Sequence, residues 1–288
     1  MKMSKIILGA LAMSALLGAS PSFAAEAVAV KREPWTFAGI FGTYDRNQLQ
    51  RGFQVFREVC ASCHGANLMA FRNLAEPGGP EFSEAQVKAL AAEYEIVDPA
   101  AEGGKRPGIL ADRWPGTGQS EADQVAAFGI VPPDFSVLAK ARGTPQSFPW
   151  FILNYFPGTA YAEGGPDYIH ALLTGYEEEV PADIKNADGT PFTLPEGKYF
   201  NEYFPGHAIG MPSPMTDGQV VYAAAEDGST VPQTVDQYSR DVSAFMMWMA
   251  EPHLVARKQA GLQVMLFLVL FAGLLYAVKR RVWSKIEH

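Results

Sequence analysis

Cys60-Ala61-Ser62-Cys63-His64 constrains this chain more than any other stretch: two thiols one helical turn apart, with a histidine directly after the second. Both sulfurs fall on one side of a turn, within reach of the two vinyl groups of a haem, and the imidazole is left to aim a ring nitrogen at the iron. This is the attachment pattern of a c-type haem, so the motif predicts one haem c bound covalently through Cys60 and Cys63, with His64 as an iron ligand. The chain has no other cysteine. A zinc site would want a second ligand pair at short spacing, and His170, His207, His253 and His288 stand singly. A redox dithiol would follow a strand in a βαβ pattern, which the flanking sequence lacks.

The chain ends indicate a compartment. Lys2 and Lys5 precede an apolar stretch from Ile6 to Leu17, and Ser22-Phe23-Ala24 supplies the small-residue pattern of a cleavage site, so residues 1–24 read as a secretory signal peptide. A second apolar segment, Ala260 to Val278, is 19 residues long and matches the ~20 needed to cross a bilayer. Lys279, Arg280, Arg281 and Lys285 follow it, and only Arg257 and Lys258 closely precede it. The positive-inside bias therefore puts the C-terminus in the cytoplasm and the exported part outside, with Tyr276 and Trp283 at an interface. The expected organisation is a signal peptide (1–24), an exported domain (25–256), and a membrane anchor with a short cytoplasmic tail (257–288); in a bacterium the exported domain is periplasmic and the anchor lies in the inner membrane.

Residues 25–256 carry 15 Lys+Arg against 30 Asp+Glu. That balance excludes nucleic acid as a partner and favours a basic protein, with Glu93, Glu95, Asp98 and Glu102 as one candidate docking cluster and Glu177, Glu178 and Glu179 as another.

Polar residues ahead of apolar periodicity mark the helices. Asp45 with Gln48 reads as a capping box leading Leu49, Phe53 and Phe56 into the cysteine motif, and Ser83 with Gln86 opens a short surface helix. A further short helix is expected from Ser120 to Phe128. Thr234 with Gln237 opens one carrying Tyr238, Val242, Phe245 and Met249 and ending near Pro252. Glycines and prolines from Gly103 to Gly118, and Pro205, Pro212 and Pro214, argue for irregular segments.

An iron held by one histidine needs a sixth ligand or an open site. Met1, Met3 and Met13 leave with the signal peptide, Met265 lies in the membrane segment, and Met69 is too close in sequence to His64. Met246, Met247 and Met249 sit at core positions of a helix. Met211 and Met215 remain, in the proline-interrupted stretch Gly210-Met211-Pro212-Ser213-Pro214-Met215, and the local pattern does not separate them. His170 and His207 are alternative nitrogen ligands.

The chain resembles the cytochrome c1 family in its bacterial form. The resemblance covers nearly all of the mature chain and rests on Arg51-Gly52-Phe53-Gln54-Val55 before the cysteine motif, Pro132-Pro133-Asp134, Leu172-Leu173-Thr174-Gly175-Tyr176, Tyr203-Phe204-Pro205-Gly206 before Ile209-Gly210-Met211-Pro212, and Ala250-Glu251-Pro252. It implies a mainly α protein: a class I c-type cytochrome fold with large loop insertions plus one C-terminal transmembrane helix. It also implies His64 and Met211 as axial ligands, Arg142 near a haem propionate, and Pro132, Pro133 and Tyr168 lining the pocket. The implied role is the electron-transfer subunit of a quinol:cytochrome c oxidoreductase, carrying one electron from a Rieske iron-sulfur protein to a soluble basic cytochrome c, beside cytochrome b in a dimeric membrane complex. Relative to mitochondrial members, residues 143–164 look like an insertion, and an extra cysteine pair of some bacterial members is missing. The alternatives are an anchored c-type cytochrome serving a terminal oxidase, and a haem enzyme or gas sensor with an open iron.

Overall fold

Polar side chains at the expected positions start most of the helices, and the rest follow from how those helices pack. The computed structural model describes residues 30–143, 164–185, 189–224 and 228–284, so the signal peptide, nearly all of the 143–164 insertion and the last four residues lie outside the described residues. In chain order the helices are α1 (Arg46–Glu58), α2 (Glu84–Ala92), α3 (Glu121–Phe128), α4 (Leu138–Ala141), α5 (Gly165–Thr174), α6 (Val235–Ala250) and α7 (Leu254–Trp283). Two short antiparallel pairs accompany them: β1 (Glu95–Val97) with β2 (Lys105–Pro107), and β3 (Tyr199–Phe200) with β4 (Ala208–Ile209).

Asp45 and Thr234 each accept a hydrogen bond from the backbone N–H three residues on and open α1 and α6. The reciprocal box forms at Ser83 with Gln86 and at Ser120 with Asp123. At Thr234 it does not, because the Gln237 side chain donates instead to Asp241, one turn further along, at 2.9 Å. Helix α2 is the expected short surface helix, with Val87, Leu90 and Ala91 buried on one face and the Phe71–Ala75 turn beside them.

α1 crosses α6 closely, and this explains the glycine of Arg51-Gly52-Phe53. A Cβ at position 52 would lie 2.1 Å from the Asp241 carbonyl oxygen, so no other residue fits. The Arg51 guanidinium beside it grips the fully buried Asp241 carboxylate with two hydrogen bonds of 2.9 and 3.1 Å. Phe53 and Phe56 of α1 pack against Phe245 of α6 and against Trp114, with ring centroids 5.3–5.9 Å apart. Each such ring removed from water contributes about 1.5–3 kcal/mol. This aromatic cluster is the floor on which the cysteine motif sits.

Helix α5 packs on the other flank of α6. It was not legible from the sequence, because it starts at Gly164-Gly165-Pro166, a string that reads as loop. The proline is tolerated in the first turn, where its missing N–H has no partner to lose. Gly165 is required by α4: a Cβ there would sit 1.6 Å from the Ala139 carbonyl oxygen. The short strands β1 to β4 were also unforeseen, since two or three residues are too few to show a period-2 pattern.

Helix α7 runs for 30 residues, about 45 Å, and its apolar window is entirely unburied. Among the described residues it is the helix long and apolar enough to cross a membrane. It begins six residues before the apolar run that the sequence marks, immediately after a break at Pro252.

Candidate haem site

The last turn of α1 hands the chain to a 3-10 turn over Cys60–Ser62, and the N–H groups of Cys63 and His64 both donate to the Cys60 carbonyl, at 3.1 and 2.9 Å. The two cysteines are unbridged. Burial, followed by the neighbouring Cys63, pushes the Cys60 thiol up to about 12, so it is held as a neutral thiol and not as the thiolate that would drive disulfide exchange.

His64 is 8% exposed, with its ring stacked on Phe135 at a centroid distance of 4.2 Å. Its Nδ1 lies 2.8 Å from the Pro133 carbonyl oxygen. A carbonyl can only accept, so Nδ1 carries the proton and Nε2 keeps its lone pair. Burial also draws the ring below its ordinary pKa, against the opposing pull of the Pro133 carbonyl and Asp134, and keeps it neutral at pH 7. The second-sphere bond that fixes a metal-binding histidine in most proteins is therefore in place.

Pro133 is held in turn. Phe135 donates to the Gly65 carbonyl at 2.8 Å, the Asp134 carboxylate accepts from the N–H groups of Asn67 and Ser136, and the Ser136 hydroxyl accepts from the N–H of Leu68. Segments 64–68 and 132–136 are thus laced together. Asp134 stood within a noted motif, but Phe135 and Ser136 were missed; their signal would have been a buried aromatic and a small hydroxyl after a Pro-Pro turn.

Met211 and Met215 have different surroundings. Met215 is 3% exposed and belongs to the apolar core, whereas Met211 is half-buried at the core's edge, as are Cys60 and Ala61. Tyr176 donates its hydroxyl to the Met211 carbonyl at 3.1 Å, a tie the sequence did not announce. Below it Asn201, fully buried, donates to the Leu172 carbonyl and accepts from the N–H groups of Tyr203 and Phe204. One amide thus joins the end of α5 to the turn of the Tyr203-Phe204-Pro205-Gly206 motif. The two alternative histidines are engaged elsewhere. His170 faces the Ser239 hydroxyl at 2.7 Å, and His207, in a left-handed backbone conformation, stacks on Phe200. Met69, Met246 and Met247 are buried in the core.

Arg142 caps the C-terminal end of α4 on the surface, and Tyr168 is half-buried on α5. Burial raises the Tyr168 hydroxyl and the Arg142 charge draws it partly back, which places the two as neighbours. Leu68, Val131 and Val137, in the segments flanking His64, are exposed apolar side chains. A neutral imidazole with a free Nε2, two thiols on one turn and an apolar rim fit a haem.

The acidic clusters differ. Glu93 pairs with Arg57, Glu95 with Lys105 and Asp98 with Arg106, so most of the first is internally neutralised. Glu177, Glu178 and Glu179 are exposed and form no ion pair among the described residues.

Comparison with known proteins agrees with this geometry. The chain is 52% identical over 254 residues to a protein named cytochrome b/c1 from Bradyrhizobium diazoefficiens, an alignment covering 87% of this chain and 35% of that longer protein. It is 44% identical to cytochrome c1 of Blastochloris viridis, over 88% of this chain and 86% of that one, and 42% identical to cytochrome c1 of Rhodospirillum rubrum, over 91% and 90%. The mainly helical architecture with one long apolar C-terminal helix is a class I c-type cytochrome fold plus a membrane anchor. The model of the cytochrome c1 family, whose members bind haem, matches residues 35–286, and this chain belongs to that family.

Proposed function

We propose that this chain is the electron-transfer haem subunit of a quinol:cytochrome c oxidoreductase, accepting one electron from a Rieske iron-sulfur protein and passing it to a soluble cytochrome c. The observation that carries the reading is the His64–Pro133 hydrogen bond directly after the paired thiols, because it prepares one imidazole nitrogen, and only one, for an iron. Cys60 and Cys63 hold the haem by thioether bonds, each thiol adding S–H across a vinyl group. When bound, the haem supplies a one-electron ferric/ferrous couple at the high potential favoured by methionine ligation.

The chain's own residues do the rest. His64 presents Nε2 from a ring fixed by Phe135 and Pro133, and Met211 presents its thioether from a loop tied down by Tyr176. Arg142 offers a cation to a propionate, and Pro132, Pro133 and Tyr168 line the pocket. Two protein ligands leave no open position for a substrate, which suits a carrier and not a haem enzyme.

Residues 25–256 form the periplasmic domain and 257–288 the anchor and cytoplasmic tail, the arrangement favoured by Lys279, Arg280 and Arg281 beyond the apolar run. The joint name of the Bradyrhizobium relative supports cytochrome b as the membrane partner, in a dimeric complex. Glu177–Glu179, directly after Tyr176 and without an ion pair among the described residues, offer an acidic surface to a basic cytochrome c. The rate of electron transfer to such a partner falls steeply with added salt if they steer it.

The test is the absorption spectrum of the oxidised and reduced full chain, including the near-infrared sulfur-to-iron band, beside Met211→Leu. A band lost in the variant establishes His64 and Met211 as the ligand pair. A band that survives moves the ligand to Met215, and no band with ready carbon monoxide binding overturns the carrier reading. Co-purification with a dihaem cytochrome b and a Rieske protein, or instead with a terminal oxidase, decides the partners.

A further inference from the structure

Between the domain that carries the cysteine motif and the membrane helix the chain breaks for three residues. α6 ends at Ala250, Pro252 cannot continue its hydrogen-bond ladder, and α7 starts at Leu254. A break of this kind, left alone, is a swivel. Here every side of it is tied. The Glu251 side chain, 16% exposed, accepts from Lys140 of α4 at 2.8 Å and from Arg257 in the first turn of α7. The Tyr44 hydroxyl lies 3.3 and 3.2 Å from the Met247 and Glu251 carbonyl oxygens, sharing its proton across the end of α6. Lys258 of α7 donates to the Phe37 carbonyl, and Leu254 is buried in the domain core. Burial resists the charge on Glu251, but Lys140 and Arg257 overcome it and hold the carboxyl below its ordinary range, so it is ionised at neutral pH.

The bridge reaches the site by a short path. Lys140 lies on α4, two residues from Arg142 and five from Phe135, whose ring backs His64. One carboxylate therefore links the segment that braces His64 to the first turn of the membrane helix. We propose that Glu251 is a positioning residue: by bridging Lys140 and Arg257 it locks the angle between the periplasmic domain and the anchor, and so fixes the haem plane relative to the membrane. The proposal rests on the haem reading above. For a subunit that must meet one partner at the membrane and another in solution, a fixed orientation holds the same haem edge at the same height on every turnover.

The experiment uses native membranes containing the full chain, dried as oriented films, with the orientation of the ferric haem read from the angular dependence of its electron paramagnetic resonance signal. The expected result is a sharp distribution in the wild type and in Lys140→Arg, which keeps the bridge, and a broadened or shifted one in Glu251→Gln. In the solubilised full chain, exchange of the Leu254 amide, which donates to the Glu251 carbonyl, rises about tenfold in Glu251→Gln, as expected for loss of one charge-assisted contact. If Glu251→Gln does not accumulate with haem, Arg257→Gln breaks the same bridge from the membrane side and must broaden the distribution in its place. A sharp, unshifted distribution in either variant overturns the proposal while leaving the haem function intact. A wild type with no oriented low-spin haem signal sinks both.

Discussion

The limb that carries His64 and the limb that carries Met211 differ in what holds them. His64 follows, across the Cys60–Ser62 turn, a 13-residue helix locked to α6 by the Gly52 crossing and the Arg51–Asp241 pair, and its ring is then fixed by Phe135 and the Pro133 carbonyl. Met211 lies in a proline-broken loop that a hydrogen bond from Tyr176 and, further back, the Asn201 amide tie down. One candidate ligand is positioned through its own side chain, the other through its backbone. The thioether, a weak and adaptable ligand on a flexible stem, is thus expected to be the first to let go under stress.

The largest effect on this contrast is expected from Asp241→Asn. It leaves the Arg51 guanidinium against a buried neutral amide and removes about 4 kcal/mol from the domain, read as a fall in the unfolding midpoint of the haem-loaded chain. A cost near zero would mean that the helix pair does not hold the His64 limb. Phe135→Ala comes next, at about 3 kcal/mol, because a buried ring is lost and a cavity opens behind the imidazole. The near-infrared sulfur band should survive it, and loss of that band before the midpoint falls would erase the distinction between the limbs.

The pH response sharpens the comparison on the other side. His170 anchors α5, the helix leading to Tyr176, and burial, followed by the nearby Arg240, depresses its pKa below the ordinary 6.5. Asp236, at 3.5 Å from Nε2, and Glu33 pull the other way and Lys31 adds to the depression. The unfolded chain takes up this proton first, so the contribution is intact above pH 6.5 and is lost as pH falls from there towards the folded-state pKa, with a limiting slope of about 1.4 kcal/mol per pH unit. Unfolding midpoints from pH 8 to pH 5 should fall less in His170→Gln; equal slopes would remove His170 from the account. The smallest stability effect belongs to Tyr176→Phe, about 1 kcal/mol for one hydrogen bond. Its larger consequence should be spectroscopic, a weakened sulfur band. If Tyr176→Phe leaves that band untouched while Phe135→Ala abolishes it, the two limbs have been assigned the wrong way round.

What could be read from the sequence follows the range of the interactions. α1, α2, α3 and α6 were legible because an N-cap and the helix it starts lie within a few residues of one another. α7 was legible from length and apolarity alone. α5 was not, because its start looks like a turn and its helicity depends on Gly165 fitting under α4. The acidic segment around Glu95 looked like a free surface in sequence, yet Arg57, Lys105 and Arg106 fold back onto it. Asn201 carried no local signal at all, although it organises the turn ahead of Met211.

The sequence by itself determined the paired thiols and their histidine, the starts of the main helices and the membrane segment, since covalent spacing and periodicity are properties of neighbouring residues. Only the tertiary structure decided which carbonyl fixes the His64 ring, which methionine stays at the core's edge and which was buried, and that Glu251 spans the break before the anchor. Those choices depend on groups as far as 207 positions apart closing to within one hydrogen bond, and distance along a chain does not encode that closure.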